Sequence, residues 1–432
     1  MKTFLHFMVL GLLSACVTLV QAALPIQSWN TSSGARVLFV QADTIPMLDL
    51  QIDFDAGSRF DPPGKSGVAQ FVQNLIGTGT PQLTEAQIEA RQADLGAQMG
   101  GHAGMERASY SLRTLTDKAI RTQAVELFAQ TLQTPTFPAE ILRREQTRTI
   151  AALKEQSTKP DEIAERRFYA LLYGDHPYAR QPTAESVNRL TQSDLVQFYQ
   201  QTHVAKRAVV SMIGAISRAE AEAIAERLTQ GLPEGGAVLP TFPDPAITTA
   251  KVERIAHPAQ QSHILIGTPA LARGDPDFFA LTVGNYILGG GGFVSRLMHE
   301  VRERRGLAYS VTSYFSPMLQ RGPFVITLQT RREQTDNALK VVDQTLQTFL
   351  QQGPSAAELR AAKDNLRNGF ALRIDNNHKI LEHIALVGFY QLPLDYLDHW
   401  VENMERVTLA DVRAAFARKV KREQLVTVVV GA

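Results

Sequence analysis

The sequence predicts an α+β protein made of two duplicated domains, each an antiparallel sheet packed by helices. Segments with strand-like alternation are mixed with segments of helical spacing, such as 139–156 and 335–353. One stretch is also repeated at a constant offset, and 432 residues are too many for one ordinary core. The composition, 44% hydrophobic and 20% charged, is typical of a folded globular chain.

The clearest strand signal lies in residues 47–57, MLDLQIDFDAG. Apolar residues alternate there with polar ones such as Asp49 and Asp53, which predicts a half-buried strand in an antiparallel sheet. The same alternation recurs in 110–115 (YSLRTL) and in 323–330 (PFVITLQT). These three segments are the predicted strands on which the antiparallel sheets depend.

An internal repeat relates residues 190–215 to residues 407–432 without a gap. In both copies a capping residue and helical spacing precede an apolar strand that ends in glycine. The matched pairs all stand at the same offset along the chain: Thr191 and Thr408, Asp194 and Asp411, Gly214 and Gly431. Gene duplication explains this pattern better than chance.

The segment 231–250 separates the two copies and is rich in glycine and proline, without any periodicity. It is the predicted linker between an N-terminal domain, 24–230, and a C-terminal domain, 251–432.

The N-terminus carries an early Lys2, a long apolar run and a small-residue cleavage pattern ending near Ala22. Residues 1–22 are therefore predicted to be a signal peptide that sends the chain to the periplasm. A rival interpretation makes Cys16 the lipidated N-terminus of a lipoprotein, although an apolar stretch follows it where a polar tether is usual. Cys16 is the only cysteine, so any metal site would need histidine and carboxylate ligands.

The overall charge gives no sign of nucleic acid or of an anionic membrane surface as a partner. Lysine and arginine number 44 against 43 acidic residues, a formal net charge of +1.

Three amides stand close together in the stretch GVAQFVQNLIGTGT, residues 67–80. Gln70, Gln73 and Asn74 occupy positions i, i+3 and i+4, which form one face of a helix. On these residues alone, a polar helix face in contact with water explains them.

The residues around the amides resemble the M16 (pitrilysin, or insulinase-like) family of zinc peptidases, in its half-length bacterial form. That family carries an inverted zinc motif, H-x-x-E-H, in an equivalent segment. The resemblance implies the M16/LuxS-like metallohydrolase fold over about residues 24–432. The surrounding frame is retained at six positions: Gly57, Arg59, Gly67, Phe71, Gly79 and Thr80.

By this resemblance, Gln70 and Asn74 replace the two histidine ligands, and Gln73 replaces the glutamate that activates water. The third ligand would fall on Ala151 or Ala152, after a matching Arg-Glu pair. Neutral amides are poor zinc ligands and cannot act as a general base near neutral pH. The chain is therefore expected to hold no zinc.

Other histidines offer no convincing replacement. His378 and His383 are five residues apart and about 140° separated around a helix, so they are expected to lie on a solvated face. The remaining candidates are isolated in sequence: His102, His176, His257 and His263.

The second half, unlike the first, retains residues that the M16 resemblance associates with the active site. In M16 proteins an arginine and a tyrosine seven residues apart reach the substrate, and Arg302 and Tyr309 have that spacing. Both can donate hydrogen bonds to a carbonyl oxygen that gains negative charge. On the residues alone, Arg302 would be part of an exposed charged helix end and Tyr309 a core aromatic.

Four glycines precede this pair: Gly289, Gly290, Gly291 and Gly292. No Gly-Lys-Ser/Thr follows them, so they are not a phosphate-binding loop. They predict a flexible loop where a backbone must approach closely. The resemblance implies that this loop contacts substrate.

The predicted function is a zinc-free, non-catalytic subunit of an exported heterodimeric M16 metallopeptidase. Its partner would be an M16 subunit with an intact H-x-x-E-H motif and a bound zinc, and extended peptides would be the substrates. The alternative is a stand-alone peptide-binding or scaffold protein that adds a peptide strand to a sheet edge. An active enzyme with an unrelated site is a third reading, and no nucleophile arrangement in the sequence supports it.

Overall fold

The computed structural model describes residues 25–236 and 238–431. The predicted signal peptide, 1–22, and Cys16 lie outside these residues. In the described ranges, no helix combines the length and the apolar character that a membrane crossing requires.

The first half contains a six-stranded sheet in the order β1-β2-β6-β3-β5-β4. The strands are β1 Gln27–Asn30, β2 Arg36–Gln41, β3 Met47–Phe54, β4 Gln98–Ala103, β5 Ala108–Leu115 and β6 Ala208–Gly214. The helices are α1 Val68–Leu75, α2 Glu85–Asp94, α3 Lys118–Gln133, α4 Ala139–Gln156, α5 Pro160–Tyr173, α6 Ala184–Asn188, α7 Gln192–Thr202 and α8 Arg218–Thr229.

The second half contains a five-stranded sheet in the order β7-β11-β8-β10-β9. The strands are β7 Lys251–Ile255, β8 Gln261–Leu271, β9 Ala308–Phe315, β10 Gly322–Arg331 and β11 Val426–Val430. The helices are α9 Phe278–Asn285, α10 Thr335–Gln352, α11 Ala356–Asn368, α12 Asn377–Phe389, α13 Trp400–Arg406 and α14 Leu409–Lys419, with π-helical turns at Tyr286–Gly290 and Met298–Glu303.

The predicted α+β fold with two duplicated, sheet-containing units is confirmed. The strand order β2-β6-β3-β5-β4 of the first sheet is matched by β7-β11-β8-β10-β9 in the second. Each sheet is antiparallel except for one parallel pair, β2 with β6 and β7 with β11. The constant offset also extends beyond the repeat seen in the sequence, because it separates the first residues of α3 and α10 and those of α4 and α11.

The two halves exchange one helix each. α5 packs on β8 and β11 of the second sheet, where Phe168 and Leu172 join an apolar cluster with Val428. Its counterpart α12, which begins at the same offset from α5, packs on β2, β3 and β6 of the first sheet. Each sheet is therefore covered on one face by a helix of the other half.

This exchange corrects the prediction for β3. The sequence predicted a half-buried strand, but Asp49 and Asp53, on its polar face, are 3% and 0% exposed. Helix α12 packs over that face and excludes water from it. Burial raises the pKa of Asp53, and Arg107 and the hydroxyl of Ser109 act in the opposite direction. The predicted alternation of β3 is confirmed, but the prediction that its polar face is exposed to solvent was wrong.

The segment predicted as a linker has neither helix nor strand over residues 233–236 and 238–250. It contacts both halves. The ring of Phe242 lies 5.6 Å from that of Phe60 in the first half, and Arg321 in the second half donates a 2.6 Å hydrogen bond to the carbonyl oxygen of Pro245.

Candidate functional site

Helix α1 carries the three amides, and its start is held by a buried carboxylate. Gly67 adopts a left-handed conformation, with φ of 107°, just before the helix. The carboxylate of Asp61 accepts hydrogen bonds from the backbone N–H groups of Gly67 and Ala69, at 2.6 and 3.0 Å. Burial raises the pKa of Asp61 to about 7, although these two bonds oppose the shift. The position of α1 is thereby fixed at its first turn.

The three amides do share one face of α1, and they bind one another. Nε2 of Gln70 donates to Oδ1 of Asn74 at 2.8 Å and to Oε1 of Gln73 at 3.3 Å. Gln70 and Asn74 are exposed, whereas Gln73 is only 9% exposed. The interpretation as a water-facing helix surface therefore holds for two of the three residues.

A cleft of about 480 Å³ opens beside this face, between α1, α2, α4 and β4. Arg144 on α4 spans it, donating to both carboxylate oxygens of Glu85 at 2.7 and 2.9 Å and to Glu145 at 2.9 Å. The cleft is lined by Gln73, Asn74, Ile76, Gly77, Thr78, Glu85, Ile88, Glu89, Gln92, Met99, Gly100, Gly101, Tyr110, Phe128, Thr131, Arg144, Glu145 and Arg148.

Ala151 and Ala152, at the predicted position of the third ligand, are exposed residues on α4. Ala151 shares a helix face with Arg144 and Arg148, one turn beyond the part of α4 that lines the cleft. Its methyl group can donate no electron pair to a metal. The correspondence with the third ligand stays a prediction.

The residues at this site do not fit a zinc ion. The amide oxygens of Gln73 and Asn74 already accept hydrogen bonds from Gln70, and amides are weak zinc donors. Elsewhere in the described ranges, no three histidine, cysteine or carboxylate side chains stand together as a metal site. His378 lies on an exposed helix face and contacts Glu382 at 3.4 Å.

Arg302 and Tyr309 lie side by side on the second half. The guanidinium carbon of Arg302 is 4.8 Å from the ring centre of Tyr309 and 4.7 Å from that of Phe293. Tyr309 is 83% exposed, so the reading of it as a core aromatic is wrong. Arg304 and Arg305 both bind Glu300, whereas Arg302 has no hydrogen-bond or ion-pair partner among the described side chains.

The glycine run forms a helical turn, not the flexible loop that was predicted. The prediction of close backbone approach was right, because a Cβ atom at Gly289 would lie 2.5 Å from Oγ of Ser313, and one at Gly290 or Gly291 would also clash. Ser313, on β9, is held in turn by Asn285, which donates to its carbonyl oxygen at 2.9 Å. Gly292 has a left-handed φ of 61° and leads into Phe293.

The predicted site residues thus form two groups on different halves: the amides on α1, and the glycine turn with Arg302 and Tyr309. No hydrogen bond, ion pair or ring contact joins the two groups in the described part of the chain. Sequence reasoning missed Phe293, whose only signal was an aromatic residue directly after the glycines. It also missed Gly101, which lies against Gln73.

Comparison with known proteins identifies the family. The profile "Insulinase (Peptidase family M16)" matches residues 36–184, and "Peptidase M16 inactive domain" matches residues 189–366. The crystal structure of a peptidase M16 inactive domain from Pseudomonas fluorescens is 36% identical, with a TM-score of 0.90, over 94% of this chain and 98% of that chain. The chain belongs to the M16 peptidase family.

Two further proteins that are similar to this M16 chain are described as proteases. An uncharacterized zinc protease of Bacillus subtilis, YmxG, is 24% identical over 82% of this chain and 85% of its own length. The periplasmic protease PqqL from Escherichia coli shares the fold, with a TM-score of 0.81 and 17% identity, over 94% of this chain and 45% of PqqL. The predicted M16 resemblance is confirmed.

Proposed function

We propose that this M16 chain is the zinc-free, non-catalytic subunit of an exported heterodimeric metallopeptidase. The observation that carries the proposal is the contrast between its two halves. The first half has mutually bonded amides at the positions that the sequence resemblance matches to the family's metal ligands and base. The second half presents a half-buried Arg302 and an exposed Tyr309, and neither is bound to any described carboxylate.

In this proposal, Arg302 and Tyr309 act in trans on a peptide bound at the metal site of an M16 partner with an intact H-x-x-E-H motif. That partner would hold the zinc and the general base. The guanidinium and the phenol would donate hydrogen bonds to the scissile carbonyl oxygen as negative charge develops there. Stacking against Phe293 limits the directions in which the Arg302 guanidinium can point, which favours such a role.

The glycine turn would form part of the wall against which the peptide lies. Gly289 packs on Ser313 and thereby keeps the turn close to β9, the strand that carries Tyr309. Export to the periplasm is part of the proposal. It rests on the predicted signal peptide, and the description of PqqL as a periplasmic protease is in keeping with it.

Purification of the tagged chain from its native periplasm tests this function. We expect an M16 partner with an intact motif to co-purify, and zinc and peptidase activity to follow the complex. The chain expressed alone should contain no tightly held zinc and should cleave no peptide. Recovery of the chain without such a partner would favour the stand-alone peptide-binding or scaffold protein, and tightly bound zinc in the isolated chain would contradict both.

A further inference from the structure

We propose that Asn285 is a positioning residue for the site in the second half. Its side-chain amide fixes the glycine turn, residues 289–292, against β9. Phe293 follows the turn and contacts Arg302, so the position of the guanidinium depends on Asn285. The effect on catalysis rests on the function proposed above for Arg302 and Tyr309. The effect on the turn does not rest on that function, because it is measured in the isolated chain.

Both polar ends of the Asn285 side chain bind one residue of β9. Nδ2 of Asn285 donates to the carbonyl oxygen of Ser313 at 2.9 Å, and the hydroxyl of Ser313 donates to Oδ1 of Asn285 at 2.7 Å. Ser313 is 2% exposed. A contact at two points fixes the rotation of the amide as well as its distance. β9 pairs only with β10 among the described strands, so this contact joins α9 to the unpaired side of an edge strand.

The glycine turn is built closely around this contact. A Cβ added at Gly289 would lie 2.5 Å from Oγ of Ser313. A Cβ added at Gly290 would lie 2.6 Å from Nδ2 of Asn285. Glycine has more backbone freedom than any other residue, so a run of four glycines does not hold one conformation by itself. The paired side chains of Asn285 and Ser313 supply the surface on which the turn is ordered.

The other end of the turn is anchored separately. Ser295 is fully buried, and its N–H and hydroxyl donate to the carbonyl oxygen of Gly292 at 3.0 and 2.7 Å. Arg296 donates to both oxygens of a carboxylate of α11, each at 2.7 Å. Phe293 lies between the two anchors and is 62% exposed. Because the downstream end is fixed in this way, the direction of Phe293 depends on the upstream contact of Asn285.

Arg302 depends on this geometry more than a paired arginine would. Its side chain has no hydrogen-bond or ion-pair partner among the described side chains, and its guanidinium contacts the rings of Phe293 and Tyr309. Tyr309 lies on β9, four residues before Ser313. The contact between Asn285 and Ser313 therefore joins the turn that carries one ring to the strand that carries the other. Loss of that contact would move the two rings relative to each other and release the guanidinium.

The first test uses the isolated mature chain and two NMR measurements. These are hydrogen exchange of the Gly291 N–H, which closes the π-helical turn, and ¹⁵N relaxation of the Arg302 Nε–H group. Ser313→Ala removes one hydrogen bond and should speed the exchange about 2- to 13-fold. Asn285→Ala removes two and should speed it further, with greater mobility of the Arg302 group. Asn337→Ala, at an exposed asparagine on α10, is the matched control and should change neither quantity.

The second test uses the reconstituted heterodimer. Asn285→Ala should lower kcat about 2- to 5-fold, as for the loss of the contact between Phe293 and Arg302. KM should change little, because the contribution of Arg302 is made in the transition state. In the Arg302→Ala background, Asn285→Ala should have no further effect on kcat, because no guanidinium is left to position. A residue that only stabilises the fold would lower activity in both backgrounds.

Four results would overturn the proposal. Unchanged exchange of Gly291 in both Asn285→Ala and Ser313→Ala is the first, and an equal fall in kcat in both backgrounds is the second. Wild-type kcat in Asn285→Ala together with lowered kcat in Arg302→Ala would overturn this proposal alone. Wild-type kcat in both variants would contradict the proposed function as well. Circular dichroism checks folding, and if Asn285→Ala does not fold, the milder Ser313→Ala carries both measurements.

Discussion

The guanidinium of Arg302 stacks on the exposed ring of Tyr309, with 4.8 Å between the guanidinium carbon and the ring centre. Tyr309 lies on the edge strand β9 and Arg302 on the π-helical turn just before it. An arginine side chain near the surface would normally be mobile, but here two aromatic rings, those of Tyr309 and Phe293, contact the guanidinium. In the proposed function, these ring contacts hold the pair in position for a carbonyl oxygen of the peptide substrate.

Replacement of Tyr309 by phenylalanine should lower the turnover of the reconstituted heterodimer. Loss of one donor to a developing oxyanion lowers kcat by about 100- to 1000-fold, with a smaller effect on KM. Steady-state kinetics of the complex, after sizing confirms equal assembly, measures this. Tyr314→Phe, on the same strand, is the control and should retain activity. Unchanged turnover in Tyr309→Phe and Arg302→Ala would leave this chain only a binding or scaffold role.

Replacement of Phe293 by alanine should increase the mobility of the Arg302 side chain, because the substitution removes one of the two aromatic rings that contact the guanidinium. A cation–π contact at an exposed site contributes about 0.5–1 kcal/mol, so kcat of the heterodimer should fall about 2- to 5-fold. Phe293→Trp should keep the kcat of the heterodimer close to the wild-type value. In the isolated chain, ¹⁵N relaxation of the Arg302 Nε–H group should show greater mobility in Phe293→Ala. Leu372→Ala, at another exposed apolar residue, should change neither quantity. Unaltered relaxation in Phe293→Ala would refute the positioning role.

Restoration of the metal motif should succeed only in part. Gln70→His, Gln73→Glu and Asn74→His together supply two ligands and a base, so weak zinc binding with little turnover is expected. Addition of Ala151→Glu should tighten zinc binding, if that position carries the third ligand. Competition with a chromophoric chelator measures the affinity of both variants. Strong peptidase activity in the triple variant would mean that the third ligand has been misplaced.

His203 should make the fold sensitive to acid. It is 1% exposed, with Nε2 at 2.8 Å from the hydroxyl of Tyr110, and burial lowers its pKa to about 3 from an ordinary value of 6.5. The unfolded chain therefore binds a proton between pH 6.5 and 3 that the folded chain does not. From pH 7 to pH 5 this contribution lowers the free energy of unfolding by about 2 kcal/mol.

His203→Gln is the variant that isolates this contribution, because other groups titrate in the same range. The raised pKa of Asp61 acts with the opposite sign, since its contribution to stability is lost as the pH rises towards 7. The measured quantity is therefore the difference in unfolding free energy between His203→Gln and wild type, from urea titrations at each pH. We expect this difference to shrink by about 2 kcal/mol from pH 7 to pH 5. A difference that is independent of pH would show that His203 titrates normally in the fold.

The sequence by itself determined the features that depend on near neighbours along the chain. Thr191 and Thr408 each accept a hydrogen bond from the backbone N–H of the aspartate three residues later, as the repeat predicted. A cap needs only four consecutive residues, and an alternating strand only its own side chains. The residues that resemble the M16 family and the absence of the motif histidines could also be recognised in the sequence, because both depend only on which residue stands at a given spacing.

Only the tertiary structure decided which surfaces those elements cover. Asp53 was expected on a solvated face, and it is buried because α12 arrives from the second half of the chain. The burial of Gln73 and the stacking of Phe293 on Arg302 also depend on side-chain contacts that no spacing rule specifies. Periodicity reports how a segment alternates, whereas burial and orientation depend on long-range packing, and that packing forms both candidate sites.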